Sequence, residues 1–128
     1  GVTEEWLRKS ENIPKMNIKA MSEYVHESGM LIYQAHPFRN DMTIINPKYL
    51  DGIEVFNGHN THHSRNKVAS LWADIHGLKR TSGTDFHEKT HICCGGIITN
   101  EPIKTTQQLI DTLRSESYEL LVDYEVSP

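Results

Sequence analysis

Short apolar runs that alternate with helix patterns constrain the fold of this chain more than any other sequence feature. Apolar runs lie at residues 30–35 and 53–56, and a short third strand is predicted at residues 78–82. The run at residues 30–35 is typical of a strand buried on both faces. Helix patterns lie at residues 17–28 and 61–75. Strands that alternate with helices are usually parallel and joined by right-handed crossovers. The sequence therefore predicts an α/β fold with parallel strands.

The ends of the predicted helices carry capping signals. Asn17 is a suitable N-cap for the first helix, Gly29 ends it, and Gly77 ends the second helix. In the second helix, large apolar residues recur at i, i+3, i+4 and i+7, so this face should pack on the sheet. These residues are Val68, Leu71, Trp72 and Ile75.

The C-terminal part of the chain repeats the same kinds of element. Residues 95–99 and 118–122 predict two more strands, and the Thr105-x-x-Gln108 pattern is a capping box that opens a helix between them. We expect one α/β domain over residues 1–128, because this length suits one domain and not two.

Composition and charge narrow the classes of partner. A net charge of −4 without a basic stripe argues against nucleic acid as a partner. No apolar run is long enough to span a membrane, and no signal peptide is visible. Cys93 and Cys94 are adjacent, a spacing that rarely permits a disulfide, so a cytoplasmic location is expected. The eight histidines suggest a metal site.

Metal-competent side chains follow two of the predicted strands. Asp85 and His87 stand two residues apart after residues 78–82, and such residues project from the same side of an extended backbone. His36 ends the first strand, where Pro37 should hold its backbone extended. The carboxyl ends of parallel strands meet at one edge of a sheet. A carboxylate with imidazoles suits Zn²⁺, Mn²⁺ or Fe²⁺ better than Ca²⁺, so these three residues predict a metal site.

Three other polar residues lie near the strand ends, and the sequence allows two roles for each of them. Arg39 offers either a bidentate fork to a phosphate group or a surface salt bridge. Glu54 lies inside a strand, where a buried carboxylate needs a charge or a donor beside it; the alternative is an edge strand with Glu54 in solvent. Asn57 either contacts a substrate or only forms a turn with Gly58.

The other histidines and the two cysteines give weaker signals. Three histidines begin the predicted second helix: His59, His62 and His63. They are expected to be solvated; the alternative is that this dense cluster binds metal and that His59 approaches the site. His91 is borne on a loop, and its role stays open. Cys93 and Cys94 precede an apolar run and are interpreted as core, with a metal-binding or redox module as the alternative.

Three stretches resemble the last three signature motifs of the PHP superfamily, the polymerase and histidinol phosphatase metallo-phosphoesterases. In the family's order and approximate spacing, they are Ala35-His36-Pro37-Phe38-Arg39, Gly52-Ile53-Glu54-Val55-Phe56-Asn57 and Gly83-Thr84-Asp85-Phe86-His87. The helix that carries Ala69 and Ala73 is also similar to the segment joining the last two motifs. Thr84 departs from the family pattern, in which serine is usual.

The resemblance implies a distorted (β/α)7 TIM-like barrel whose metal centre hydrolyses phosphate esters of small molecules or nucleotides. This chain would be the second half of such a barrel, since it is about half the typical ~250 residues and lacks the family's His-x-His strand before residue 30. Its metal ligands would be His36, Asp85 and His87, holding Zn, Mn or Fe. Arg39 would hold the phosphate, and Glu54 would orient a ligand or the attacking water.

A function of another class is a non-catalytic half-barrel or degenerate PHP module that acts by pairing with another chain. An incomplete barrel exposes strand edges, which are templates for pairing. We therefore expect either a homo-oligomer or a missing N-terminal half as the partner. The isolated chain is expected to have weak or no activity.

Overall fold

Strands alternate with helices along the chain, as the sequence pattern predicts. The computed structural model describes residues 2–9, 15–59, 61–91 and 94–123. The helices are α1 (Glu4–Lys9), α2 (Ile18–Glu27), α3 (Asn66–His76) and α4 (Thr106–Ser115), with short 3-10 turns at Pro47–Tyr49 and Lys89–His91. The strands are β1 (Tyr33–Gln34), β2 (Gly52–Asn57), β3 (Lys79–Gly83), β4 (Gly95–Ile98) and β5 (Glu119–Val122).

A parallel sheet of β1, β2 and β3 positions the candidate site. The strand order is β1-β2-β3, so β2 is the central strand. Ile53 and Val55 of β2 are buried with Ala69 and Ala73 of α3, which covers this face of the sheet. Parallel strands place their carboxyl ends at one edge. The prediction of an α/β fold with parallel strands is confirmed for these three strands.

The last two strands differ from the prediction, because β4 and β5 pair antiparallel with each other. Ser82 at the end of β3 links them to the parallel sheet. Its hydroxyl donates to the Leu121 carbonyl at 2.5 Å and accepts from the Gly96 amide at 3.1 Å. The expectation of parallel strands throughout is wrong for this pair, since the chain reverses direction through α4 instead of crossing over.

The predicted caps of α2 and α4 are confirmed. Asn17 accepts the Ala20 amide at 3.0 Å through its side chain, and Gly29 follows α2 with a left-handed φ of 72°. At α4, Thr105 accepts the Gln108 amide while the Gln108 side chain accepts the Thr105 amide. Each cap satisfies helix-end amides that have no partner inside the helix.

The prediction for α3 is wrong in its start and in its buried face. The helix begins at Asn66 rather than near residue 61, and Arg65 before it has a left-handed φ of 52°. Leu71 and Ile75 are 62% and 74% exposed, whereas Ala69 and Ala73 are buried against β2. Alanines occupy this face because they let the helix backbone approach the sheet closely. Of the four residues predicted to face the sheet, Val68, Leu71 and Ile75 are exposed, whereas Trp72 packs against the core as predicted. Among the described residues, no helix has the length and apolar character needed to span a membrane.

The phenol of Tyr33 gives an alkaline stability prediction. Its ring packs over Gly52 of β2, where an added Cβ would lie 2.2 Å from Cε1. Burial raises the pKa of Tyr33 well above its usual 10.0, and Tyr118 and Asp51 raise this pKa further. A group whose pKa is raised on folding stabilises the fold below its unfolded pKa, and this contribution is lost as pH rises towards the folded pKa. We expect stability to fall above pH 10.0.

This prediction is checked by chemical denaturation at a series of alkaline pH values, alongside ultraviolet titration of the phenolates. Tyr33→Phe should weaken the alkaline loss of stability, with Tyr49→Phe as the matched control. Equal pH dependence in the wild type and Tyr33→Phe would contradict it.

Candidate metal centre

Asn57 at the carboxyl end of β2 connects the polar residues of the site. Its side chain is buried, at 1% exposure. The Asn57 Oδ1 accepts hydrogen bonds from Arg39 at 2.8 Å, from the His59 amide at 3.1 Å and from the Ser64 hydroxyl at 3.3 Å. Its Nδ2 donates to Glu54 at 3.0 Å. Asn57 therefore fixes the loop after β2 relative to the loop after β1, which is more than a turn residue does.

Glu54 occupies the central strand, so the alternative of a solvent-facing edge strand is wrong. Its Oε2 accepts the His36 backbone amide at 2.8 Å as well as the Asn57 Nδ2. The register opposite β3 shifts between Glu54 and Phe56, and such irregularities in a strand change the direction of the side chains near them. The Glu54 carboxylate thus holds the end of β1 in place through hydrogen bonds.

Gly83 leaves the space that the Glu54 carboxylate occupies. A Cβ on Gly83 would lie 2.4 Å from Glu54 Oε1. We expect Gly83→Ala to displace this carboxylate and to lower the free energy of unfolding by about 1–3 kcal/mol, the range for overpacking. Urea denaturation measures the change. In a double-mutant cycle with Glu54→Ala, the cost of Gly83→Ala should largely disappear; an additive cycle would show that the clash involves other atoms.

Two predicted ligands have a left-handed backbone. The φ angles of His36 and Asp85 are 28° and 51°, so the extended geometry expected at both positions is wrong. For His36, the restriction imposed by Pro37 is overcome because the His36 amide turns to donate to Glu54. Non-glycine residues in this region carry strain, which concentrates at functional sites.

Arg39 and Asp85 form an ion pair across the site. Arg39 NH1 lies 2.7 Å from Asp85 Oδ2, with the side chains 17% and 16% exposed. Burial alone would raise the pKa of the Asp85 carboxyl, but the hydrogen bond and charge of Arg39, then the charges of His36 and His87, hold this pKa below its usual range. The Arg39 Nε is buried without a hydrogen-bond partner among the described residues. Arg39 thus keeps one donor for a ligand.

The His87 ring is oriented as a metal ligand is. Its Nδ1 lies 2.7 Å from the Asp85 backbone carbonyl, which can only accept, so Nδ1 carries the proton. The Nε2 of the neutral ring then has a free lone pair, the usual arrangement of a metal-binding histidine. The side chain is exposed, and its Nδ1 is also 3.8 Å from the Asp85 Oδ1.

Three histidines lie close enough together to bind one metal ion. One ligand atom from each of His59, His87 and His91 lies within 4.8 Å of the others. His59 and His91 are buried, at 7% and 3% exposure, so the expectation that His59 is solvated is wrong. Burial lowers the pKa of His59, and His62 and His91 lower this pKa further. His59 is therefore held mainly as the neutral ring.

The structure places the predicted ligands around the same edge without forming one tight group. Among the described residues, His36 and Asp85 do not join the group within 4.8 Å. Asp85 interacts with both His36 and His87, since the charges of these two residues lower the pKa of the Asp85 carboxyl. The His36 Nδ1 is buried and has no hydrogen-bond partner among the described residues, which leaves a nitrogen available for a ligand.

His59 and His91 are site residues that the sequence did not assign, since His59 was expected to be solvated and the role of His91 stayed open. His59 stands two residues after β2, at a strand exit like those of His36 and Asp85, and this position was a usable signal. His91 belongs to a short 3-10 turn, and nothing in its local sequence indicates burial. Cys94 is buried, as its interpretation as core predicts, whereas Cys93 lies outside the described residues.

The chain was compared with protein-family models, with curated proteins and with solved structures, and no match was found in any of the three. The case for a function therefore rests on the geometry of the site.

Proposed function

We propose that this chain is a metal-dependent phosphoesterase, which hydrolyses phosphate esters with a metal-activated water. The observation that supports the proposal is that Arg39, a side chain suited to binding an anion, lies beside the metal-competent Asp85 and His87 at the carboxyl edge of the parallel sheet. Arg39 contacts both Asn57 after β2 and Asp85 after β3. His87 presents its Nε2 lone pair beside this pair.

The side chains at this edge have the chemistry that a divalent metal ion such as Zn, Mn or Fe needs, and one ligand atom from each of His59, His87 and His91 lies within 4.8 Å of the others. His87 would be the anchoring ligand, because its Nδ1 is already committed to the Asp85 carbonyl. His36, with its unpartnered buried Nδ1, and the ionised Asp85 belong to the set predicted from the sequence, but they lie outside the group within 4.8 Å and would have to move towards the ion to bind it. A bound divalent metal lowers the pKa of a water ligand and polarises phosphoryl oxygens.

Arg39 and Glu54 have separate roles in this proposal. The guanidinium of Arg39 would bind the substrate phosphate through its Nε, which has no partner among the described residues. Its other nitrogens are bonded to Asp85, Asn57 and Ser64. Glu54 would act as a positioning residue, since its carboxylate fixes the backbone of His36. Asn57 would position Arg39 rather than contact the substrate, because its buried amide is already satisfied by the groups around it.

The finer fold assignment is part of the same proposal. The three parallel strands would be consecutive strands of a (β/α)7 barrel of the PHP type, and the family's His-x-His ligands would be supplied by a segment or chain beyond the described residues. The parallel order β1-β2-β3 and the location of polar residues at the carboxyl ends support this assignment.

Elemental metal analysis of the purified chain tests the proposal. We expect stoichiometric Zn, Mn or Fe that is lost in an Asp85→Asn, His87→Ala double variant. A matched double variant at exposed positions, His63→Ala with Asp111→Asn, should retain the metal. The metal-loaded chain is then assayed on phosphate monoesters and diesters. Equal metal in both double variants, or none after reconstitution, would contradict the proposed centre.

A second candidate function, pairing with another chain, is favoured by the outward apolar face of α3. Val68, Leu71 and Ile75 are exposed there, and β1 is a two-residue edge strand. Light scattering tests for a homo-oligomer, with Leu71→Glu expected to weaken it. A monomer in both proteins at high concentration would exclude self-pairing as the function.

A further inference from the structure

We infer that His59 and His91 bind the phosphate oxygens of a phosphate monoester, while His87 alone of the three clustered histidines binds the metal. The inference rests on the proposed function and assigns its substrate class. Proximity within 4.8 Å makes the three rings look equivalent. Their hydrogen bonds show that they are not.

The His59 ring has its proton on the nitrogen that faces away from its own loop. The Thr61 backbone amide, which can only donate, points at the His59 Nδ1 from 3.2 Å. The Nδ1 therefore holds a lone pair, and the proton of the neutral ring is on Nε2. The Thr61 hydroxyl, 3.1 Å from the same nitrogen, is free to donate as well. His59 thus offers an N–H donor.

The His91 ring is set in the same way, and its donor is buried without an acceptor. The His87 backbone amide donates to His91 Nδ1 at 3.2 Å, so the proton is on Nε2. This Nε2 is buried and has no hydrogen-bond partner among the described residues, although Glu88 Oε1 on an exposed side chain is 3.4 Å away. Buried donors are nearly always satisfied in native proteins. An oxygen ligand would satisfy this one.

Metal binding through all three rings would require an unfavourable placement of the ring proton at His91. A metal on its Nε2 would move the ring proton to Nδ1, where it would face the donating His87 amide. The His91 Nδ1–H and the His87 backbone N–H, two donors, would then face each other in a buried environment. His87 has no such conflict, because its Nδ1 proton already has a carbonyl acceptor. The hydrogen bonds therefore separate one metal ligand from two donors.

The number of donors favours a monoester over a diester. Arg39, whose Nε has no partner among the described residues, is linked to the His59 backbone through the Asn57 Oδ1, and its charge acts on the His59 ring. We therefore count the Arg39 Nε–H with the two histidine N–H groups as a third donor. A monoester phosphate has three non-ester oxygens, whereas a diester has two. Three N–H donors beside a metal-binding Nε2 match the terminal phosphate group.

Side-chain proton–nitrogen correlation NMR of protein labelled in its histidines tests the inference without any substitution. In metal-free protein we expect the Nε2–H tautomer for His59 and His91 and the Nδ1–H tautomer for His87. Zinc should shift only His87 of these three, and inorganic phosphate should then shift the Nε2–H signals of His59 and His91.

The outcomes separate this inference from the proposed function. If zinc converts His59 or His91 to a metal-bound Nε2, the inference is overturned while the metal centre stands. If no zinc binds, the proposed function and the assignment of His87 as the metal ligand both fail, whereas the response of His59 and His91 to phosphate alone decides whether these two rings bind phosphate. Absence of any phosphate-dependent shift would overturn it.

Variants give an independent readout. His59→Gln and His91→Gln should each keep zinc at the wild-type stoichiometry and weaken inorganic phosphate binding by roughly tenfold, the loss of one hydrogen bond to a charged group. His63→Gln at an exposed position is the matched control and should leave both quantities unchanged. Loss of zinc in either variant, with its fold verified by circular dichroism, would show that the ring is a metal ligand.

Discussion

Replacing Arg39 with Met is expected to lower the free energy of unfolding of the metal-free protein by about 3 kcal/mol, the low end of the range for breaking a buried ion pair. The low end applies because Arg39 and Asp85 each keep about a sixth of the side chain exposed. Methionine fills similar volume but leaves the Asp85 carboxylate without its cation. It also removes the donors to Asn57 and Ser64.

Metal should partly reverse this loss. If Asp85 is a metal ligand, a bound divalent ion replaces the missing positive charge, so zinc should stabilise Arg39→Met more than it stabilises the wild type. The weak phosphatase activity expected of the isolated chain should nevertheless stay about 10²–10³-fold lower in Arg39→Met than in wild type, because the phosphate loses its guanidinium partner. Arg39→Lys should keep the charge and lose the fork.

Denaturant unfolding with and without zinc, together with phosphatase assays, measures these effects. The neighbouring Arg65 provides the control, since it is exposed and bonds the Phe38 carbonyl and Asn40 without contacting Asp85. Arg65→Met should show no extra stabilisation by zinc. A destabilisation under about 1 kcal/mol in Arg39→Met would show that the pair is only a solvated surface contact.

The parallel sheet and its site edge were accessible from the sequence because their signals are local. An apolar-rich stretch of strand length that ends in a polar residue occurs within a few positions, as at β2, where Ile53 to Phe56 precede Asn57. The Asn17 cap and the Thr105 capping box are equally local and were predicted correctly. Such patterns identify elements, and the rules for parallel strands then bring His36, Asn57 and Asp85 to one edge.

The features that escaped prediction depend on contacts between distant parts of the chain. His59 is buried because the loop after β2 packs against the start of β4; a Cβ on Gly58 would lie 2.6 Å from the Cys94 carbonyl oxygen. The buried face of α3 follows from how closely its backbone approaches β2, which selects alanines over larger side chains. The left-handed backbone of His36 depends on Glu54, which is 18 residues away in sequence.

Asn57→Ala should be the most damaging single change at the site, costing about 3–4 kcal/mol of unfolding free energy. Leaving one buried polar group without its partner costs about 1–3 kcal/mol. Several groups lose their partner here, but the total stays below the sum because the neighbouring side chains can partly rearrange. Arg39, the His59 amide and the Ser64 hydroxyl would lose an acceptor, and Glu54 would lose a donor. Exposed Asn100→Ala is the control and should change stability by less than about 0.5 kcal/mol.

Asn57→Asp distinguishes the two halves of this hydrogen-bond network. It keeps an acceptor for Arg39 and the His59 amide, but places a second carboxylate where Nδ2 donates to Glu54. Like charges this close favour protonation of one carboxylate, so the loss of stability in Asn57→Asp should shrink as pH is lowered through the acidic range. The Asn57→Ala loss should not shrink in this way. Equal pH profiles for the two variants would mean that Glu54 is positioned by groups other than Asn57, such as the His36 backbone amide.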